Sequence, residues 1–106
     1  MNKSFNHDGH SSFKKELAKL EKKHPEQYNK IYIELRKLEK RTAFIQKGKQ
    51  YPGLKKVNNL YQFTIDDHRI LFDIKNNAII FYLLLFEKKS KSTPQRYYKI
   101  AKKRRV

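Results

Sequence analysis

Nine cationic side chains crowd the stretch from Glu87 to Val106: Lys88, Lys89, Lys91, Arg96, Lys99, Lys102, Lys103, Arg104 and Arg105, with Glu87 the single acid among them. They account for half of the chain's net charge of +16. Such a field draws polyanions: nucleic acid first, then an acidic protein, then an anionic membrane surface. Arg69, together with Lys55 and Lys56 upstream, joins Lys88, Lys89 and Lys91 in a cationic basin. Side chains of this kind can cleave RNA unaided. The ribose 2′-hydroxyl attacks the neighbouring phosphate, negative charge gathers on the phosphoryl oxygens, and fixed lysines and arginines stabilise it. A lysine whose pKa is lowered by crowded cations takes the hydroxyl proton, and a cation or tyrosine protonates the leaving oxygen. Tyr97 and Tyr98 can stack on splayed bases or pack in a core. Arg69 has a plainer use too, an ion pair with Asp73 on its own strand face. Lys102 to Arg105 can equally be a solvated tail.

Other chemistries find no residues. There is no cysteine, which excludes disulfides and thiolate metal sites and suits a reducing cytoplasm. His7 and His10 are three apart without a third ligand nearby, and neither His24 nor His68 has metal-ligand spacing to another histidine. The chain has no Gly-x-Ser-x-Gly turn and only three glycines, Gly9, Gly48 and Gly53, too few for a phosphate-cradling loop. No metal or small-molecule cofactor is expected.

A helical hairpin and a small sheet must position the cations. Ser11 and Ser12 can cap a helix with Phe13, Leu17 and Leu20 at i, i+4 and i+7. Pro25 ends it and opens a second helix, whose apolar stripe is Tyr28, Ile31, Leu35 and Leu38. "QKGKQYPGLKKVNN", residues 46–59, reads as a loop. "LYQFTI" then alternates Tyr61, Phe63 and Ile65 with Gln62 and Thr64. "RILFDI" sets Ile70, Phe72 and Ile74 against Arg69, Leu71 and Asp73. The short links "DDH" and "KNN" imply an antiparallel meander. "AIIFYLLLF" is apolar on both faces and is expected in the centre of the sheet. Pro94 starts a final basic helix, with Tyr97, Ile100 and Ala101 available to pack, and "NKSFNHD" can add an N-terminal edge strand. At 106 residues the expectation is one α+β domain, 1–106. The longest apolar run, Ala78 to Phe86, is about half of a membrane span, and the polar N-terminus lacks a signal-peptide core, so a soluble cytoplasmic protein without membrane contact is expected.

From Leu60 to Arg104 the chain resembles the second half of the phage-derived, HigB-like branch of the RelE/ParE toxin superfamily. The resemblance is carried by Leu60, Tyr61, Asp67, Arg69, Phe86, Lys88, Lys89, Lys91, Thr93, Pro94 and Ala101. "SFKKELAKLEKKHPEQYNKI" and "PGLKKVNN" suit that branch's hairpin and connecting loop. The resemblance implies an α+β toxin of a type II toxin-antitoxin system, paired with a cognate antitoxin and cutting messenger RNA on the ribosome. It implies that Arg69 contacts the scissile phosphate and that Lys88, Lys89 and Lys91 belong to the catalytic basic signature. Lys55, Lys56, Arg96, Tyr97, Lys102, Lys103 and Arg104 are the candidate RNA contacts beside it. Gln62 and Thr64 stand where relatives often carry Glu and Arg, so one cationic contributor is missing. A ParE-like gyrase inhibitor and a non-catalytic RNA-binding domain are the alternatives; the "KKSKSTP" segment argues against the first.

Overall fold

The computed structural model describes residues 9–75, 79–89, 91 and 93–105. Helix α1 (Ser11–Lys23) and helix α2 (Pro25–Glu39) form the expected hairpin, separated by His24 alone, with Pro25 at the start of α2. Proline fits there because the first turn has no intrahelical partner for its missing N–H. The cap of α1 differs from the expectation. His10 is the N-cap, its Nδ1 accepting from the Ser12 N–H at 3.0 Å, and the two serines are already helical. A third helix of one turn, α3 (Thr42–Gln46), follows.

Four strands make an antiparallel sheet in the order β1 (Leu54–Val57), β2 (Leu60–Ile65), β3 (His68–Lys75) and β4 (Ile79–Glu87), and α4 (Gln95–Arg104) closes the fold. The α+β class therefore holds. The fourth strand, however, comes from the segment expected as a loop. Asn58 and Asn59, at φ 55° and 63°, make a two-residue turn that sends β1 back against β2. Asparagine tolerates this left-handed backbone better than most residues. The strand was hidden because Lys55 and Lys56, both exposed, leave no apolar alternation in a four-residue edge strand. The expected N-terminal strand, residues 2–8, lies outside the described residues; Gly9 makes a single parallel bridge to Tyr82. Most of the "KNN" link is also outside them.

The second correction concerns β4, which lies at the end of the described sheet order rather than in its centre. It is apolar on both faces because a helix covers each face. On the hairpin side Phe13, Leu17, Ile31, Leu35 and Leu38 bury Phe63, Ile70, Phe72 and Tyr82. On the other, Tyr98 and Ala101 of α4 cover Leu60, Leu71, Leu83 and Leu84. Each such side chain contributes roughly 1.5–3 kcal/mol when fully buried. An apolar pattern reports covered faces and says nothing about how many strands lie beside it. A register shift between Leu71 and Phe72 makes Leu83 an extra residue, so that Leu83 and Leu84 both join the α4 core.

The outer edge of β4 is sealed by polar groups. The His10 N–H donates to the Tyr82 carbonyl at 2.8 Å, and the Leu85 N–H donates to Glu16 Oε1 at 3.0 Å. Arg104 reaches from α4 to the Leu83 carbonyl and to Glu16 Oε2, both at 2.9 Å. Among the described residues no helix is long and apolar enough to cross a membrane.

Candidate nucleic-acid interface

Alternation along the strands decides which cations share a face. Arg69 lies opposite Thr64 on β2 and Phe86 on β4, on the side of the sheet that carries α4. Its Nη1 donates to the carbonyls of Asp66 at 2.9 Å and His68 at 3.0 Å, which ties the guanidinium to the β2–β3 turn. The ion pair with Asp73 is not present among the described residues; Asp73 Oδ1 accepts instead from the N–H of Ile74 at 2.9 Å. The half-buried Arg69 is thus held through one terminal nitrogen, and the rest of its fork has no described partner.

The segment after β4 arrives at the same place. Its Lys88 N–H donates to the Asp67 carbonyl at 2.7 Å, so the backbone of Lys88 is fixed beside the turn that holds Arg69. Lys89 and Lys91, both exposed, follow on the way to α4. Arg96 and Tyr97 stand in the first turn of α4 above this end of the sheet. There Tyr97 stacks on Phe86, the direct neighbour of Arg69, at 4.1 Å between ring centroids and 12° between planes. Arg96 places its guanidinium carbon 4.9 Å from the Tyr97 centroid and its Nη2 3.4 Å from the Tyr97 hydroxyl. Tyr98 turns the other way, buried, and donates to Gln62 Oε1 at 2.8 Å.

The remaining candidates disperse. Lys55 pairs with Gln62 and shares the α4 side, whereas Lys56 turns to the hairpin side, its Nζ 5.1 Å above the Tyr61 ring. Lys102 and Lys103 are exposed on the last turn of α4. Arg104, one of the candidate RNA contacts, is bound to Glu16 and the Leu83 carbonyl, and Arg105 donates to the Asn59 carbonyl at 3.0 Å. Sequence reading passed over Lys75, whose Nζ lies 4.2 Å from the Phe81 ring centroid. The alternation Arg69, Leu71, Asp73, Lys75 contains that signal. No group of three or more residues able to hold a metal ion occurs among the described residues.

On the hairpin side of the same sheet end lies a groove of about 1000 Å³. It is lined by Glu16, Glu26, Asp66, Asp67 and Glu87, with Lys19, Lys23, Lys30, His24 and His68 between them. His68 Nδ1 is buried without a hydrogen-bond partner among the described residues. Burial holds the His68 pKa below its usual value, against the pull of Glu87, Asp67 and Asp66 and in concert with His24. The folded protein therefore favours the neutral ring. Well above pH 6.5, the ordinary histidine value, both folded and unfolded states are neutral and the residue adds nothing to the pH dependence. As pH falls through 6.5 towards the lower folded value, the unfolded chain takes up the proton first and stability is lost, levelling off below that window. His68→Asn is expected to remove this acid-side loss, checked by thermal melts of both proteins between pH 8 and pH 5.

These features define a small, strongly basic α+β protein whose four-stranded sheet is held between a helical hairpin and a basic helix. The chain belongs to the phage-derived Gp49-like protein family (DUF891), whose sequence profile matches residues 13–106. No curated protein and no solved structure matches it significantly.

Proposed function

We propose that this protein is the toxin of a type II toxin-antitoxin system, a RelE/HigB-like endoribonuclease that cuts messenger RNA on the ribosome until a cognate antitoxin covers it. The observation that carries the proposal is the convergence at one sheet end of Arg69, tied to two turn carbonyls, and the backbone of Lys88, pinned to the same turn. A guanidinium held before the substrate arrives costs no reorganisation when charge develops on the phosphoryl oxygens. In the reaction the 2′-oxygen bonds to phosphorus, the bond from phosphorus to the 5′-oxygen breaks, and the 2′-proton is replaced by one delivered to the leaving 5′-oxygen. A cyclic phosphate and a 5′-hydroxyl result. Arg69 stabilises the phosphoryl oxygens, and Lys88, Lys89 and Lys91 supply the surrounding positive field. Membership of the Gp49-like family supports the reading without specifying an activity. The antitoxin is expected to present an acidic or amphipathic segment to this surface.

Purified protein added to a translation extract, with message ends mapped in the presence and absence of ribosomes, tests the proposal. Cuts that appear only on ribosome-bound message are the expected result. Intact message with arrested gyrase would assign the chain to the ParE-like reading, and binding without cuts would assign it to a non-catalytic RNA-binding domain.

A further inference from the structure

We propose that the outer face of the Arg96 guanidinium is the seat for one nucleobase of the bound RNA, beside the phosphate held by Arg69. The inference rests on the ribonuclease reading and adds to it the group that receives a base. Tyr97 would be the obvious stacking residue, yet its ring is already engaged by Phe86 and by Arg96. Phe86 stacks on it at 4.1 Å, nearly parallel. The guanidinium carbon of Arg96 lies above the ring, 4.9 Å from its centroid. The column runs from buried Phe86 through half-buried Tyr97 to exposed Arg96, so the guanidinium is its most solvent-exposed member.

A guanidinium is flat, delocalised and weakly hydrated, which lets it stack on a base as well as attract a phosphate. A lone surface arginine loses much side-chain freedom when it stacks. Here the Tyr97 ring beneath it and the Tyr97 hydroxyl at its edge already restrict that freedom. Position supplies the second part of the argument. Phe86 and Arg69 are direct cross-strand partners, with side-chain origins about 5 Å apart in such pairs. A chain whose phosphate sits on Arg69 therefore brings an adjoining base to the column. Stacking leaves the base edges unread, so the seat prefers purines for their larger face without selecting one sequence.

Binding of the full-length protein to short 2′-O-methyl RNA, which lacks the attacking hydroxyl, tests the seat independently of cleavage. One nucleotide at a time is replaced by an abasic residue. At a single position the replacement is expected to weaken wild-type binding roughly tenfold, the scale of one base stacked on a planar group. Arg96→Ala should bind the intact RNA about that much more weakly and be indifferent to the abasic residue there. Arg96→Trp, a plane without charge, should keep the positional sensitivity, and Arg96→Lys, a charge without a plane, should not. Arg96 is exposed and outside both cores, so these variants are expected to fold. The seat is overturned if Arg96→Lys matches wild type, if Arg96→Ala still feels the abasic residue, or if no position stands out while ribosome-bound message is cleaved. Failure to bind or cut RNA at all overturns the ribonuclease reading, and the seat with it.

Discussion

Arg69→Ala is expected to slow cleavage of ribosome-bound message by roughly a hundredfold or more, the usual cost of removing one preorganised donor from a developing oxyanion. The structure fixes how that loss is to be separated from unfolding. Arg69 makes two described hydrogen bonds, both from Nη1 to carbonyls at the partly exposed β2–β3 turn, so its removal costs about 1–2 kcal/mol of stability. The variant is therefore expected to stay folded at assay temperature. Arg69→Lys keeps a charge but not a fork that can hold a turn carbonyl and a phosphoryl oxygen together, and should recover only part of the rate. Single-turnover kinetics beside a thermal melt decide the matter. Near-wild-type cleavage by the alanine variant would confine Arg69 to bracing the turn, as would a melt showing that it merely unfolds.

Arg104→Ala is expected to have the largest effect on stability of any change among the C-terminal cations, about 2–3 kcal/mol, or a fall in melting temperature of roughly 10 °C or more. Arg104 is 18% exposed in its side chain and binds both Glu16 Oε2 and the Leu83 carbonyl. Removing it takes one charged partner from a partly buried carboxylate and leaves a strand-edge carbonyl without its donor. Lys102→Ala and Lys103→Ala, at exposed positions on the same turn, should change stability by less than about 0.5 kcal/mol. Each should instead lower the salt dependence of RNA binding by about one phosphate contact. Three melts and a salt titration distinguish the arginine from its neighbours. Equal melts for all three variants would mean that the Glu16 contact contributes no net stability.

That contrast shows where sequence reading succeeded and where it stopped. The hairpin and the two alternating strands were legible because burial imposes a period on them, and Phe13, Leu17, Ile31 and Leu35 sit where the period places them. Strand β1 was not, because an edge strand bearing Lys55 and Lys56 has no apolar face to announce it. Of the site, the cross-strand meeting of Arg69 with the end of β4 followed from antiparallel pairing and short links. The partners of individual cations did not follow. Lys, Arg and their neighbours look alike in a basic run, and only three-dimensional reach shows that Arg104 meets Glu16, 88 residues away, or that Arg96 rests on Tyr97.

The seal on the outer edge of β4 also sets an order of events during synthesis. The strand richest in hydrocarbon leaves the ribosome before α4, so its Leu83 carbonyl waits for a partner that has yet to be made. Until Arg104 emerges, one face of β4 lacks its helix and one edge lacks its latch. A nascent chain halted in that interval presents an apolar strand ready to pair with another copy. Messages truncated before α4 should therefore yield aggregates rather than a weakened protein, and chaperone dependence should fall sharply once α4 is translated.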